Sequence, residues 1–214
     1  MYLGGAGGTG KSHVIHALKQ YFVCKGQEQR LRLISFTGVA AQSISGMTIH
    51  AALHLNQIKK NEPQSKTMHN LQMMWEGVDF LFIDEISMIG CKLLHQVSEA
   101  LIKAKGNNSP FGGINVIFAG DFAQLSPVGE TCLSANVNTS QILTPSESQQ
   151  NEIVYGKALW KLVDHVVILN ESMGQAGPEN KTFVDLLSCL CEGHCTQNDY
   201  DILSNRVLQN TDVN

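Results

Sequence analysis

Apolar runs and helical spacings alternate along this chain in the manner of a parallel α/β sheet. Residues 31–36, 78–83 and 114–119 form short, mostly apolar runs, which predict strands buried on both faces. Residues 166–169 predict a further strand. Because the apolar residues between these runs recur at helical spacing, we predict an α/β fold with a mostly parallel sheet flanked by helices. Functional residues are then expected at the carboxyl ends of the strands.

The helical spacing is broken by polar stretches that predict loops. Residues 56–67 and 131–151 are rich in polar side chains and are predicted to have little regular structure. Short helices are expected at 39–44 and 48–55, and a weaker one at 68–75. Longer helices are predicted from Ser12 to Lys25, from Leu93 to near Gly106, and at 155–163, 182–191 and 198–207.

Composition narrows the class of protein. A length of 214 residues suggests one domain or one and a half, and a hydrophobic share of 43% is typical of a globular chain. The formal net charge of −4 provides no overall attraction to nucleic acid. Composition therefore argues weakly against DNA binding, and any DNA contact must use a local groove.

The compartment is predicted from what the sequence does not contain. The N-terminus has no secretory pattern, and no apolar run approaches the length of a membrane span. Six cysteines without a regular framework fit a reducing compartment. We predict an intracellular protein with no membrane partner, in the nucleus or alternatively the mitochondrion.

The strongest chemical signal is the stretch GGAGGTGKS, residues 4–12. From Gly5 it fills every fixed position of the phosphate-loop pattern G-x-x-x-x-G-K-[ST]. Glycines let backbone N–H groups surround a polyphosphate, Lys11 can reach the β- and γ-phosphates, and the Ser12 hydroxyl can ligate Mg²⁺. The predicted ATP-binding residues are Gly5, Ala6, Gly7, Gly8, Thr9, Gly10, Lys11 and Ser12. The alternative is a glycine-rich turn before a helix.

Only Tyr2 and Leu3 lie ahead of these glycines, where a buried strand of four to eight residues is usual. We interpret the sequence as starting inside its first strand, as a truncated gene product or fragment would.

Two further strand ends carry polar residues. Asp84 and Glu85 follow the run 78–83, where Asp84 can hold Mg²⁺ and Glu85 can act as general base toward a water. Residues 118–128, FAGDFAQLSPV, repeat this design, and Gln124 can sense the γ-phosphate or orient the water. The alternatives are a solvated loop for the acidic pair and a polar turn for the glutamine.

The motifs GGAGGTGKS, TGVAAQSISGMTIHAAL, FIDEISM and GDFAQLSPV together resemble the PIF family of DNA helicases, in superfamily one, with the bacterial RecD helicases as relatives. The resemblance runs from Gly4 to about Arg206. It implies a RecA-like ATPase lobe of a helicase that translocates on single-stranded DNA and unwinds duplex DNA in the five-prime to three-prime direction. Roles in DNA repair, recombination and telomere maintenance follow from the same resemblance. A phosphate-loop kinase or a signalling GTPase would not explain GDFAQLSPV.

The resemblance also implies roles for single residues. Lys11, Asp84, Glu85 and Gln124 become catalytic residues, with Ser12 and Asp84 at the Mg²⁺. Thr37, Gly38, Thr48 and His50 match the segment that touches the DNA backbone. For His50 alone, the alternative is an ordinary surface or core histidine.

Domain boundaries follow from the same comparison of motifs. Residues 1–175 would form the RecA-like lobe, with 130–153 as a polar insertion or loop. Residues 176–214 would form a helical segment leading toward a second RecA-like lobe, which the chain lacks and which would complete the ATP site.

Two positions depart from the family pattern. Gly174 stands where the family has an arginine that reaches the γ-phosphate, and Cys191 stands where an arginine is common. Losing such an arginine typically costs about 10³–10⁵ in rate, so the alternative function is a catalytically impaired nucleotide-binding remnant of a duplicated or transposon-borne helicase gene. The residues Cys189, Cys191, His194 and Cys195 suggest zinc only weakly, and reduced thiols are favoured.

Overall fold

A computed structural model describes residues 1–55, 64–135, 147–171, 173 and 180–205. The six strands found in these residues pair in parallel in one sheet, with the order β3-β2-β4-β5-β1-β6. The strands are β1 (Tyr2–Gly5), β2 (Leu31–Ser35), β3 (Met47–Thr48), β4 (Phe80–Asp84), β5 (Asn115–Gly120) and β6 (Val166–Leu169).

Eight helices accompany these strands in the described residues. They are α1 (Lys11–Cys24), α2 (Gly38–Ser43), α3 (Ile49–Ala52), α4 (Gln64–Trp75), α5 (Cys91–Lys105), α6 (Glu147–Trp160), α7 (Lys181–Glu192) and α8 (Gln197–Ser204). Short 3₁₀ turns occur at Glu28–Arg30, Ile86–Met88 and Pro110–Gly113. No helix among the described residues is long and apolar enough to cross a membrane.

The inner strand β4 is buried on both faces of the sheet, whereas the edge strand β6 is largely exposed. Within β4, Leu81 and Ile83 enter a large core shared with α4 and α5, while Phe82 enters a second core shared with α1. Successive strand residues point to opposite faces, so a strand covered on both sides must be apolar at nearly every position. This arrangement confirms the predicted fold class and explains why run 78–83 lacks a polar alternation.

Strand β1 lies inside the sheet. Tyr2 pairs with Phe118 of β5 on one side and with Val166 of β6 on the other. The strand extends to Gly5, so it includes the first two glycines of the phosphate-loop stretch.

Some predicted boundaries were wrong. Helix α6 begins at Glu147, inside the predicted loop 131–151, and α4 begins at Gln64, inside the predicted loop 56–67. Tertiary packing supports both helices, because Leu71 and Trp75 of α4 are buried and α6 packs along α5. Thr48, predicted to be helical, ends the two-residue strand β3, and α3 follows it. Residues 56–63 and 136–146 lie outside the described residues.

Candidate nucleotide site

The phosphate-loop stretch connects β1 to α1 at the carboxyl edge of the sheet. Gly8 and Gly10 have positive φ angles of 78° and 94°, a conformation that costs glycine nothing and other residues more. The Thr9 hydroxyl donates a hydrogen bond to the Ala6 carbonyl at 2.8 Å, which braces the turn from inside. The loop therefore has a defined turn conformation, which the positive φ angles and the Thr9 hydrogen bond specify.

The start of α1 suits an anion. Gly10 is the N-cap, so no side chain accepts the first N–H groups of the helix, and the first turn carries no acidic residue. In a helix of 14 residues these free N–H groups and the helix dipole attract negative charge.

The Lys11 ammonium folds back onto the loop itself. Its Nζ donates to the carbonyl oxygen of Gly5 at 2.6 Å and to that of Ala6 at 2.9 Å. These hydrogen bonds to two carbonyl oxygens partly compensate the positive charge of the ammonium group. Because a phosphate oxygen is a stronger acceptor than a carbonyl, Lys11 is poised to exchange these two bonds for bonds to a nucleotide.

The acidic pair lies at the end of β4, as predicted. Asp84 is only 8% exposed, and Glu85 is half-buried in a left-handed conformation with φ 57° and ψ 46°. Such a backbone is uncommon for a residue other than glycine and is often found at functional sites. Burial raises the pKa of Asp84, and the Glu85 backbone and Lys11 oppose this rise. Burial and then the charge of Asp84 raise the pKa of Glu85, again opposed by Lys11.

These pKa shifts have a chemical consequence. Two carboxylates held near each other with little solvent are destabilised as anions, and a divalent cation would offset that cost. Carboxylate and hydroxyl oxygens are the ligands that Mg²⁺ prefers, so Asp84 and Ser12 fit this ion by donor type.

Gln124 lies beside the phosphate loop. A Cβ atom added to Gly7 would stand 3.8 Å from the Gln124 Nε2 atom. The same Nε2 donates to Asp121 Oδ2 at 3.3 Å, while Asp121 Oδ1 accepts from the backbone N–H of Ala123 at 3.0 Å. Asp121 thus orients the glutamine amide. Asp121 lies within the GDFAQLSPV motif, but no sequence pattern indicates this role for it.

Two contacts connect the neighbouring strand ends. The Tyr2 hydroxyl donates to the Gly120 carbonyl at 3.2 Å across 118 residues of sequence. Gly120 also packs against the residue after Glu85, since an added Cβ would stand 2.9 Å from the Ile86 nitrogen. The contact made by Tyr2 was not predicted, because an aromatic residue in a strand is usually only a core residue. The position of Tyr2 two residues before the glycine-rich stretch is the one available signal.

The four residues predicted to touch DNA come together at the adjacent strand ends. Ser35 of β2 pairs in register with Thr48 of β3, so Thr37 and Gly38, just past β2, lie at the same edge as Thr48 and His50. The Thr37 hydroxyl accepts a hydrogen bond from the Ala40 N–H at 3.2 Å, and that of Thr48 accepts from the Ala51 N–H at 3.3 Å. Each hydroxyl therefore keeps its proton to donate. The His50 ring packs edge-on against the Phe36 ring, with 6.4 Å between the two ring centroids.

The segment after β6 returns to the phosphate loop. The backbone N–H of Met173 donates to the Gly8 carbonyl at 2.9 Å. Gly174, where the family pattern has an arginine, lies outside the described residues, as do Gln175 and the boundary predicted there.

The stretch from Cys189 to Cys195 contains a local backbone hydrogen bond. The His194 N–H donates to the Cys189 carbonyl at 2.9 Å, and Cys191 and Cys195 are exposed. Among the described residues, no group of three or more histidine, cysteine or acidic side chains is placed to hold a metal ion.

A parallel sheet with a phosphate loop after one inner strand, and an acidic pair after a second inner strand that β5 separates from the first, defines a nucleotide-binding lobe of the RecA-like P-loop class. The chain belongs to the PIF1-like helicase family, whose sequence profile matches residues 1–201. This match confirms the family that the motifs predicted.

Curated relatives support the assignment. The chain is 29% identical over 199 residues to the ATP-dependent DNA helicase PIF1 of Candida albicans, covering 91% of this chain and 21% of the relative. It is 28% identical over 214 residues to the ATP-dependent DNA helicase PIF1 of Xenopus laevis, covering 99% of this chain and 30% of the relative. The chain thus spans roughly a fifth to a third of these proteins.

Solved structures share the fold. A crystal structure of Pif1 helicase from Candida albicans matches with a TM-score of 0.70 at 24% identity, over 98% of this chain and 44% of that one. A Bacteroides Pif1 helicase in complex with ADP-AlF3 and single-stranded DNA matches with a TM-score of 0.69 at 22% identity, over 97% and 46%. At these identities the likeness supports the sheet and helix arrangement.

Proposed function

We propose that this chain is the ATP-binding and ATP-hydrolysing motor lobe of a DNA helicase that moves five-prime to three-prime on single-stranded DNA. The observation that carries the proposal is one sheet edge at which the phosphate loop, Asp84 with Glu85, and Gln124 converge, beside the Thr37–His50 segment. Relatives named ATP-dependent DNA helicases, and a structural neighbour with ADP-AlF3 and single-stranded DNA, support it.

In this proposal Lys11 leaves the carbonyls of Gly5 and Ala6 and pairs with the β- and γ-phosphates of ATP. Mg²⁺, held by Ser12 and Asp84, would neutralise charge on the phosphate oxygens. Glu85 accepts a proton from the attacking water, and its raised pKa makes it a stronger base than an exposed glutamate. Gln124 exchanges its bond to Asp121 for one to the γ-phosphate or the water.

The DNA strand would run across Thr37, Gly38, Thr48 and His50. Small hydroxyl, backbone and imidazole donors can follow a phosphate backbone without a basic face, which suits a chain of net charge −4. A second RecA-like lobe would complete the ATP cleft and convert hydrolysis into movement along single strands and into duplex junctions. We place this activity inside the cell, in the nucleus, in repair, recombination and telomere maintenance.

The test is ATP hydrolysis by the purified chain, alone and joined to a second RecA-like lobe. We expect single-stranded DNA to stimulate hydrolysis and Lys11→Ala to abolish it. Lys19→Ala removes a lysine from the same helix but not from the loop, and should leave the rate within about twofold, as surface substitutions usually do. A folded two-lobe protein that shows no stimulation by DNA would refute the helicase assignment.

DNA contact has its own test. Thr48→Val removes the hydroxyl proton that we assign to a phosphate and should weaken single-stranded DNA binding by about 1 kcal/mol, or roughly fivefold. Ser43→Ala is the matched control, because the Ser43 hydroxyl donates to the Ala40 carbonyl and has no free proton. Equal affinities for the two variants would exclude Thr48 from the interface.

A second candidate, an impaired nucleotide-binding remnant, is favoured by one observation, the glycine at position 174. In the two-lobe protein, Gly174→Arg should then raise turnover by about 10³-fold or more if a decayed enzyme is being restored. A parent protein that already turns over at full rate would exclude the remnant.

A further inference from the structure

The loop that carries Gln124 has little packing of its own. After Gln124 its apolar side chains point into solvent, with Leu125 70% and Val128 94% exposed. The bonds within its first turn are local, from the N–H groups of Ala123 and Gln124 to Asp121. The position of the glutamine therefore depends on how the two ends of the loop are held.

The near end is held by the sheet. Gly120 is the last residue of β5, its carbonyl accepts the Tyr2 hydroxyl, and the Phe122 ring packs against Tyr2 and Trp160 at centroid distances of 5.5 Å.

The far end is held by Glu130. Its Oε2 accepts a hydrogen bond from the backbone N–H of Leu93, the third residue of α5, at 3.2 Å. The N-cap residue of α5 is Gly90, which has no side chain to accept that N–H. Glu130 therefore caps α5 from 37 residues away and places its negative charge at the positive end of a 15-residue helix.

Gly90 provides the room for this cap. A Cβ atom at Gly90 would stand 2.2 Å from Glu130 Oε2 and 2.5 Å from Glu130 Cβ. The chain beyond Glu130 continues along the same helix start, where the Cys91 N–H donates to the Thr131 carbonyl at 2.9 Å and Gly90 pairs with Cys132. Only the 3₁₀ turn Ile86–Met88 and Ile89 separate this helix start from Glu85.

We infer that Glu130 is a positioning residue that fixes the Gln124 loop to the start of α5. It thereby keeps the Gln124 side chain at the same edge of the sheet as Asp84 and Glu85. The ends of β4 and β5 meet where Gly120 packs against Ile86, and the loop after β5 meets the start of α5 through Glu130, the Cys91–Thr131 hydrogen bond and the Gly90–Cys132 pairing. Among these contacts to α5, that of Glu130 is the nearest in sequence to Gln124. Without it, the loop would be held only from Thr131 onward, and the exposed residues after Gln124 would let the glutamine move away from the phosphate loop.

The first experiment measures backbone hydrogen exchange without nucleotide. In Glu130→Ala, the amides of Ala123 and Gln124 should exchange about three- to thirtyfold faster than in the parent, the range expected for a lost helix cap. Glu130→Gln keeps an acceptor oxygen for the Leu93 N–H and should stay within about threefold of the parent.

The control is Thr196→Ala, which removes the capping box that Thr196 forms with Asp199 at the start of α8. It also removes a helix cap, but one that does not contact the Gln124 loop. The inference would be overturned if the amide exchange rates of Ala123 and Gln124 did not change in Glu130→Ala. It would also be overturned if Thr196→Ala raised those exchange rates equally.

The second experiment rests on the proposed function and adds Mg²⁺ with a non-hydrolysable ATP analogue. The phosphate-loop amides should become protected in the parent and in Glu130→Ala, whereas Gln124 should gain protection only in the parent. Equal gains at Gln124 would overturn the role of Glu130. A parent whose phosphate loop gains no protection would instead overturn the proposed nucleotide binding, while the exchange rates without nucleotide still decide the role of Glu130.

Discussion

Replacing Gly120 by alanine should force the carboxyl ends of β4 and β5 apart. The added Cβ would stand 2.9 Å from the Ile86 nitrogen and 3.0 Å from Ile86 Cγ2, closer than folded proteins accept. The φ angle of Gly120 is 154°, which also disfavours a side chain. Overpacking costs about 1–3 kcal/mol and the backbone strain about 1–3 kcal/mol, so the free energy of unfolding should fall by about 2–6 kcal/mol.

Gly129→Ala is the matched control. Gly129 lies in the same loop with φ 70°, but an added Cβ would meet no atom within 4 Å. Its cost should be the backbone strain alone, about 1–2 kcal/mol. The difference between the two variants isolates the contact between Gly120 and Ile86.

Urea unfolding at equilibrium measures the free energy of unfolding, and the thermal midpoint of Gly120→Ala should fall by roughly 4–24 °C. Nucleotide binding through the phosphate loop should persist. Hydrolysis by the two-lobe protein should fall at least about tenfold, because small displacements between reacting groups are costly. Equal stability of Gly120→Ala and Gly129→Ala would refute the packing of these strand ends.

Two further predictions test the burial of polar groups. Asp84→Asn should be more stable than the parent at neutral pH, because the raised pKa of Asp84 means that the folded state loses stability as the pH rises from the unfolded pKa to the folded one. The advantage should disappear below about pH 4, and urea unfolding at several pH values that shows no such trend would contradict the cause. Trp75→Phe should lower the free energy of unfolding by about 2–4 kcal/mol, because it leaves a cavity in the core. It also removes the indole N–H that donates to the Ala52 carbonyl at 3.1 Å, which leaves that buried carbonyl without its donor. A smaller fall in the thermal midpoint than that of Gly129→Ala would contradict this prediction.

Local features were predictable because their signal lies in neighbouring residues. The phosphate loop is defined by glycines, a lysine and a hydroxyl within nine positions. Residues 78–83 can be recognised as a buried strand from their own apolar composition, without reference to the strands beside them. Asp84 and Glu85 follow it directly, so their place at the sheet edge was also predictable. The C-terminal end of α5 at Gly106 was predictable for the same reason, since that glycine has the left-handed conformation that ends helices.

Boundaries set by packing were not predictable. The first turn of α6 lies in a stretch of serine, glutamine and asparagine, which is typical of a loop. The helix forms there because it packs along α5, where Gly156 lies so close to the Cys91 backbone that a Cβ would have no room. The strand β3 is two residues long, too short for any periodicity to indicate.

By itself, the sequence determined the class of chemistry, because the phosphate loop, the acidic pair and the GDFAQLSPV block are contiguous motifs. Only the tertiary structure decided how these motifs meet. The bond from Tyr2 to Gly120 spans 118 residues, and the cap from Glu130 to α5 spans 37. Neither contact has a local pattern, since each depends on a parallel sheet that brings distant strand ends to one edge. The motifs thus provide the candidate site residues, and long-range packing sets the distances between them.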